Sequence, residues 1–309
     1  MESRECIIKK SQSLSRRARN PRTPDWAQAI EELRLEHDVA TLLDCKQMAR
    51  SVFYYHRKKL NANDKYSKEK EEIKRIFHSH KGRYGYRRIT SEMKNLGYTI
   101  NHKTVQKLMG VLDIKCKIRK VHYRSYKGDV GKIAPNVLER NFKANYPNQK
   151  WTTDVTQMKI KDEKIYFSPI LDMFNGEIIS YSISRSPNMQ MINKMLNNAF
   201  SKVKDVKGLI FHSDQGWQYQ HYGYRKILEE QGIIQSMSRK GNCLDNAMVE
   251  SFFGIMKSEL LYAENFNTAE EFIKSLEEYI DYYNNKRIKN KLNGKSPVQY
   301  RALIEANYY

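Results

Sequence analysis

The order of strands and helices predicted for the second half of the chain restricts the fold more than any other feature. Runs rich in β-branched residues that alternate in character predict strands, and apolar residues at helical spacing predict helices. In chain order these are strands at 151–158, 164–170 and 177–183, a helix at 188–203, a strand at 209–211, a further helix and strand, and a helix at 245–261. The order predicts an α/β domain in which helices cover a mixed sheet.

Three acids occupy three different settings in this domain. Asp154 interrupts the first predicted strand, Asp214 directly follows the short apolar strand, and Glu250 borders the apolar face of the last helix, which Asp245 or Asn246 can cap. In a mixed sheet the strands before Asp154 and Asp214 can be neighbours, and a helix packed nearby can bring Glu250 to the same point. The order of elements therefore allows the three carboxylates to form one cluster.

Clustered carboxylates repel one another and stay ionised only when a cation lies among them. Oxygen ligands suit Mg²⁺ or Mn²⁺, and two such ions can activate an attacking oxygen and stabilise a leaving one at phosphorus. Asp154, Asp214 and Glu250 are therefore the predicted catalytic and metal-binding residues. The alternative is that each of them, like most of the 35 acids, is a solvated surface charge. We assign Asp162, Asp172 and Asp205 to the surface.

Four sequence segments around these acids resemble those of the DDE transposases and retroviral-type integrases, and especially the OrfB-type transposases of bacterial insertion sequences. The segments are Trp-Thr-Thr-Asp-Val-Thr (151–156), His-Ser-Asp-Gln-Gly-Trp-Gln-Tyr (212–219), Ser-Arg-Lys-Gly-Asn-Cys-Leu-Asp-Asn-Ala-Met-Val-Glu-Ser-Phe-Phe (238–253) and Lys-Ser-Pro-Val-Gln-Tyr (295–300). Thirty-five residues separate Asp214 from Glu250, which is the spacing of that family. The resemblance extends from about residue 26 to the end.

The resemblance implies an RNase H-like catalytic domain with a mixed five-stranded sheet and flanking helices, preceded by all-α helix-turn-helix segments. It implies metal-dependent cleavage of DNA strands at the ends of an insertion sequence, with Mg²⁺ or Mn²⁺ as cofactor and two ions expected. The freed 3′-OH would then be transferred into target DNA. Both steps are in-line displacements at phosphorus, so one site can serve both, and no nucleophilic Ser or Tyr is required.

The net charge of +20 is concentrated before this domain. Residues 1–150 carry 35 Lys and Arg against 16 Asp and Glu, whereas residues 151–309 carry 20 against 19. A basic half beside a nearly neutral half is typical of a polyanion-binding module joined to a catalytic one. Solubility alone would explain a net charge, but not this asymmetry.

The basic half contains two helical segments whose spacing resembles helix-turn-helix units. A plain three-helix bundle is the alternative for the first. The predicted domains are a basic flexible arm at 1–25, a helix-turn-helix-like segment at 26–62, a second at 63–127, a linker at 128–147 and the catalytic domain at 148–309. The basic residues at 115–132, interleaved with tyrosines, suit both nucleic acid and a linker.

Basic side chains in these segments and around the acids are candidate DNA contacts, although each singly could be a solvated surface charge. They are Arg57, Lys58, Arg83, Arg87, Arg88, Lys103, Lys107, Arg239, Lys240 and Lys257. Lys257 lies seven residues after Glu250, on about the same face of the helix, where the resembled family carries a basic residue. His212 is interpreted as a supporting or hydrogen-bonding group, and Trp151 and Trp217 as packing residues.

The remaining expectations concern compartment and partners. Four scattered cysteines and the lack of an 18-residue apolar run predict a cytoplasmic protein without a membrane anchor, disulfide framework or zinc module. The resemblance implies that it is bacterial and nucleoid-associated. The expected partners are the terminal inverted repeats of the element, target DNA, further copies of the chain in a homo-oligomer on DNA and, by the resemblance, an upstream OrfA-type product. The alternatives are an RNase H-type nuclease and an inactive or partner-dependent DNA-binding regulator.

Overall fold

The computed structural model describes residues 23–60, 64–116, 133–239 and 243–307. Most of the predicted arm, the basic run at 117–132 and Lys240 lie outside these ranges. The chain divides into two compact units, residues 1–69 and 70–309. Each unit is described by itself.

Residues 23–60 of the first unit fold into three helices. They are α1 (Thr23–Leu33), α2 (Val39–Lys46) and α3 (Arg50–Leu60). Their buried faces meet in a small core that includes Ile30, Leu42 and Phe53. Helix α1 begins inside the stretch predicted to be a flexible arm, because Pro24 is well tolerated in a first helical turn. The helix begins three residues before the domain boundary predicted at residue 26.

Three more helices lie within residues 64–116, before the sheet. They are α4 (Ser67–Ser79), α5 (Tyr86–Asn95) and α6 (His102–Val111). Asn101 caps α6 as predicted, since its side chain accepts a hydrogen bond from the Lys103 amide at 2.8 Å. Helices α5 and α6 pack through their buried apolar faces, which include Ile89, Met93 and Val105.

The sheet contains six strand segments at five positions. The segments are β1 (Lys150–Thr153), β2 (Thr156–Ile160), β3 (Glu163–Asp172), β4 (Ile178–Ser184), β5 (Ile210–Ser213) and β6 (Ile234–Met237). β1 and β2 lie end to end along one edge of β3, and β4 pairs with its other edge. β1 also pairs with β5 in parallel, and β5 pairs with β6 in parallel. The mixed sheet and the predicted neighbours are confirmed, and the first predicted strand is broken at Asp154.

Helices cover both faces of the sheet. One face packs against α10 (Ala247–Met256) and α11 (Ala269–Asn285), and the other against α7 (Met189–Lys202) and α9 (Tyr222–Glu230). Because side chains alternate along a strand, Phe167 enters the first core and Ile170 the second. The short helix α8 (Trp217–Gln220) follows β5, and α12 (Pro297–Asn307) follows a turn at Asn290–Leu292.

One predicted surface acid lies in the interior. Asp172 is fully buried, and it accepts hydrogen bonds from the amides of Asn148 and Phe174, both at 2.9 Å, and from Arg301 at 2.7 Å. Its assignment to the surface is wrong because Arg301, on α12, pairs with it at the end of β3. Asp162 and Asp205 are exposed as predicted.

The C-terminal helix packs back on the domain, as predicted. The Asn175 side chain donates to the Pro297 carbonyl at 2.9 Å, and the rings of Phe174 and Tyr300 lie 5.6 Å apart. Among the helices in the described ranges, none has the length and apolar character needed to span a membrane.

Candidate active site

The two aspartates of the predicted cluster lie at the ends of two adjacent strands. Asp154 follows β1 directly, and Asp214 follows β5 directly. β1 and β5 are parallel neighbours, with Thr152 opposite His212, so their carboxyl ends meet at one edge of the sheet. The Asp154 carboxylate accepts a hydrogen bond from the Val155 amide at 2.7 Å.

The third acid approaches the same edge from a helix. Glu250 lies in the first turn of α10, which packs over the face of the sheet beside β1. Like Asp154 and Asp214, it is partly buried. The Asp214 carboxylate accepts a hydrogen bond from the Gly216 amide at 2.9 Å, which fixes the turn after β5.

The pKa values of the three acids show that they influence one another. Burial, together with the charges of Asp214 and Glu250, raises the pKa of Asp154 well above its usual range. Burial raises the pKa of Asp214, and burial with the charge of Asp214 raises that of Glu250. A divalent cation would relieve this repulsion, and carboxylate oxygens are the ligands that Mg²⁺ and Mn²⁺ prefer.

The acids are neighbours without forming a closed ligand cage. Among the side chains that the structure describes, no group of three or more His, Cys, Asp or Glu is spaced to hold a metal ion. The structure thus brings Asp154, Asp214 and Glu250 within electrostatic range, and their role as metal ligands stays a prediction.

The turn before α10 does not cap the helix as predicted. Asn246 makes no side-chain capping hydrogen bond, and its side chain contacts Thr152 and Thr153 of β1. Asp245 is fully buried and pairs with Arg140 and Arg239 at 2.9 and 3.0 Å. Hydrogen bonds from Arg239, outweighing burial, hold the pKa of Asp245 far below its usual range. Both capping predictions are therefore wrong, because these side chains bind other parts of the domain.

Lys257 approaches the acids from the end of α10. It begins a π-helical turn, Lys257–Leu261, a feature that often occurs at functional sites. Burial lowers the pKa of Lys257 below its usual value, and the nearby charge of Asp154 opposes this effect without cancelling it. A cationic side chain thus lies close enough to Asp154 for their charges to interact.

Two further residues near the acids are buried. His212 lies 2.9 Å from the Ser236 hydroxyl through Nδ1, and burial lowers its pKa to about 4, which agrees with its interpretation as a hydrogen-bonding group. Tyr219 was missed by the sequence reasoning. Burial, and then the charges of Asp154 and Asp214, raise its pKa. Tyr219 ends the 212–219 segment that carries the family resemblance, and this position could have indicated that it lies near the acids.

The predicted tryptophans differ in their environment. Trp151 is fully buried and packs edge-on against Phe211, with ring centroids 6.0 Å apart, as expected of a packing residue. Trp217 is 56% exposed at the start of α8, three residues after Asp214. The interpretation of Trp217 as a packing residue is wrong. Trp217 begins α8, and this helix is too short to bury its side chain.

Several candidate DNA contacts are exposed, and others have internal partners. The exposed ones are Lys58, Arg87, Lys103, Lys107 and Arg239. Arg239 is engaged by Asp245, and Arg57 pairs with Glu31 at 3.0 Å.

Arg83 and Arg88 bind inside the larger unit. Arg83 is buried, donates to the Glu259 carbonyl at 3.2 Å and lies over the rings of Tyr279 and Tyr282. Arg88 lies 3.6 Å from the Glu259 carboxylate. Arg83 therefore cannot present its guanidinium to a phosphate, and its prediction as a DNA contact is wrong.

Glu259 is largely buried and contacts both arginines, through its carbonyl for Arg83 and through its carboxylate for Arg88. Its carboxylate also accepts two hydrogen bonds from the buried Arg287, at 2.8 and 2.6 Å, and one from Tyr279 at 3.0 Å. The network attaches α5 and α11 to the π-helical turn that begins at Lys257. It was missed because its members are far apart in the sequence.

Three family models match the chain. An integrase core domain matches residues 144–243, an HTH-like domain matches 65–122, and a second integrase core model matches 250–303. The chain is 51% identical over 272 residues to InsK of insertion sequence element IS150 from Escherichia coli (strain K12), covering 88% of this chain and 96% of that protein. It is 38% identical to the transposase of IS904 from Lactococcus lactis, covering 74% and 92%.

Among solved structures, the catalytic core of HTLV-2 integrase in complex with magnesium is similar, with a TM-score of 0.40 and 23% identity over 51% of this chain and 98% of that one. The catalytic core of BIV integrase gives a TM-score of 0.41 and 16% identity over 52% and 99%.

Proposed function

The chain belongs to the transposases of bacterial insertion sequences, polynucleotidyl transferases with an integrase-type RNase H-like core, and on that premise we propose that it cuts DNA at the ends of its element and joins the 3′-OH to target DNA. The observation that carries this proposal is the placement of Asp154 and Asp214 at the carboxyl ends of the parallel neighbours β1 and β5, with Glu250 on α10, which packs beside β1. Two carboxylates at the ends of adjacent strands, with a third on the helix beside them, suit chemistry at a phosphodiester.

Asp154, Asp214 and Glu250 would hold the divalent cofactor, which we propose to be Mg²⁺ or Mn²⁺, bound as two ions. When bound, such ions activate the attacking oxygen and neutralise charge on the leaving one. The donor set fits, because all three side chains offer carboxylate oxygens. The raised pKa values of the three acids fit as well. Burial and repulsion favour protonated carboxyl groups, and a bound cation would displace those protons.

Lys257 would bind the phosphate that reacts. Its charge interacts with that of Asp154, and its side chain is half-buried. A cation beside the reacting phosphate stabilises the extra negative charge of the transition state.

The exposed basic residues of the HTH-like segment would hold the element end. Arg87, Lys103 and Lys107 lie on the outer faces of α5 and α6, and α6 has its cap and a buried apolar face opposite. Lys58 of α3 would add a contact from the first unit. These contacts go to phosphates and would supply affinity rather than sequence preference.

The domain boundaries at 26–62, 63–127, 128–147 and 148–309, the homo-oligomer on DNA and the upstream OrfA-type partner belong to the same proposal. The matched regions, 65–122 for the HTH-like domain and 144–243 for the integrase core, support the division between a DNA-binding and a catalytic part.

A cleavage-and-joining assay tests the function. Labelled DNA carrying the imperfect inverted repeats beside the gene would be incubated with the protein and Mg²⁺ or Mn²⁺. The parent should give joined products, Glu250→Gln should give none, and Glu305→Gln, at an exposed position of α12, should match the parent. Cutting without joining would favour an RNase H-type nuclease. DNA binding without chemistry, even with the upstream product added, would favour a regulator.

A further inference from the structure

A buried side-chain contact joins the strand that carries Asp154 to the helix that carries Glu250. The Thr152 hydroxyl donates to Asn246 Oδ1 at 2.6 Å. The Asn246 amide group donates in turn to the Thr153 carbonyl at 3.3 Å. Thr152 is fully buried and Asn246 is 3% exposed, so water cannot replace either bond.

The position of this contact relates it to the two acids. Thr152 and Thr153 are the two residues before Asp154, and Asn246 precedes Glu250 by four residues, about one turn of helix. The contact therefore fixes the N-terminal end of α10 against the end of β1. A short amide side chain suits it, since the contact needs an acceptor and a donor side by side.

The neighbouring residue fixes the other side of the same turn. The Asp245 carboxylate accepts from Asn136 at 3.1 Å and from the Arg239 amide at 3.0 Å, besides its two arginine partners. The buried Asp245 thus holds the turn that contains Asn246. The Asn246 side chain binds β1 and makes no capping hydrogen bond to α10.

We infer that Asn246 is a positioning residue, which sets the separation of Glu250 from Asp154 by holding α10 on β1, and so sets the affinity of the site for a divalent ion. The inference rests on the proposed metal-binding role of the acids. An ion requires its ligands within about 0.5 Å of their places, so the contact that holds α10 on β1 bears on how well the site binds one.

The test removes one hydroxyl and leaves the shape of the side chain. Thr152→Val deletes the donor to Asn246, and Thr152→Ser restores it. Ser180→Ala is the matched control, because its buried hydroxyl in β4 donates to the Met195 carbonyl at 2.8 Å. Binding of Mn²⁺ to the full chain without DNA would be measured from the loss of the free-ion electron paramagnetic resonance signal, and urea unfolding would be measured in parallel.

Thr152→Val should weaken Mn²⁺ binding about 10- to 100-fold, as the loss of supporting groups around metal ligands does elsewhere. Thr152→Ser should bind close to the parent, and Ser180→Ala should lose stability without losing affinity. Asn246→Ala combined with Thr152→Val should bind no more weakly than Asn246→Ala alone, because both changes remove the same contact.

Equal Mn²⁺ affinity of Thr152→Val, Asn246→Ala and the parent would overturn the inference, as would a loss in Ser180→Ala as large as that in Thr152→Val. Asp154→Asn separates this failure from that of the proposed function. If Asp154→Asn binds Mn²⁺ as tightly as the parent, the metal-binding role of the acids fails. If Asp154→Asn loses binding and Thr152→Val keeps it, only the positioning role fails.

Discussion

Replacing Arg287 by methionine would expose how strongly the buried Glu259 network holds the π-helical turn beside the acids. Arg287 is 2% exposed and gives the Glu259 carboxylate two hydrogen bonds. Burial alone would raise the pKa of Glu259, but the bonds and charge of Arg287 outweigh it and hold that pKa below its usual value. In the variant Tyr279 at 3.0 Å and Arg88 at 3.6 Å would remain close to the carboxylate.

Leaving a buried carboxylate without its main partner costs about 3–5 kcal/mol. With a urea dependence of about 3 kcal/mol per molar, the unfolding midpoint should fall by about 1 M or more. The depressed pKa of Glu259 means that the pair stabilises the fold above the unfolded pKa of about 4.3 and that this contribution is lost as the pH falls through the folded value. The difference between parent and variant should therefore shrink in acid.

Two controls isolate the pair. Lys286→Met changes an exposed neighbour and should stay within about 0.5 kcal/mol of the parent. Glu259→Met combined with Arg287→Met removes both charges and should recover most of the loss. A midpoint for Arg287→Met within the range of the Lys286 control, or a loss that persists unchanged at pH 3, would refute the reasoning.

Three further predictions concern the site and its surroundings. Lys107→Ala should weaken DNA binding and reduce the slope of log K against log salt by about one, whereas Arg83→Met, at a buried position, should leave that slope unchanged in a binding titration. The pKa of Asp154 is raised by burial and by its neighbours, so its ionised form destabilises the metal-free fold at pH 7. Asp154→Asn should therefore raise the melting temperature at pH 7. Added Mg²⁺ should raise the melting temperature of the parent but not that of the variant. Trp151→Ala should cost about 3–5 kcal/mol in urea unfolding and Trp217→Ala less than about 0.5 kcal/mol, and equal costs would contradict the assigned burial.

The main elements of the catalytic domain could be predicted from the sequence, because periodicity reports directly which face of an element is buried. The helix at Ala269–Asn285 and the meander of β2, β3 and β4 follow from it, whereas the order of elements only allowed β1 and β5 to be neighbours. The break at Asp154 could be suspected, since a charged residue interrupts a buried strand. The division of the first predicted strand into β1 and β2 could not be predicted, because the residues before and after Asp154 follow the same alternating pattern.

What the sequence could not give was the partner of each buried polar group. Asp172 has the local pattern of a turn acid, and its partner Arg301 lies 129 residues away. Arg83 stands in a basic segment like any phosphate contact, yet it binds Glu259 176 residues later. Asn246 has the sequence of a helix cap and binds β1. In each case a distant partner overrides the local preference, and periodicity carries no information about it.

The most direct test of the central claim is a change of ligand at Asp154. Thiolate prefers softer ions than Mg²⁺, so Asp154→Cys should give no cleavage or joining in Mg²⁺ and should regain products in Mn²⁺ if residue 154 binds the metal. Asp162→Cys, at an exposed turn, should behave as the parent in both ions. Activity of Asp154→Cys that equals the parent in Mg²⁺, or is equally low in both ions while DNA binding is intact, would contradict direct metal binding by Asp154.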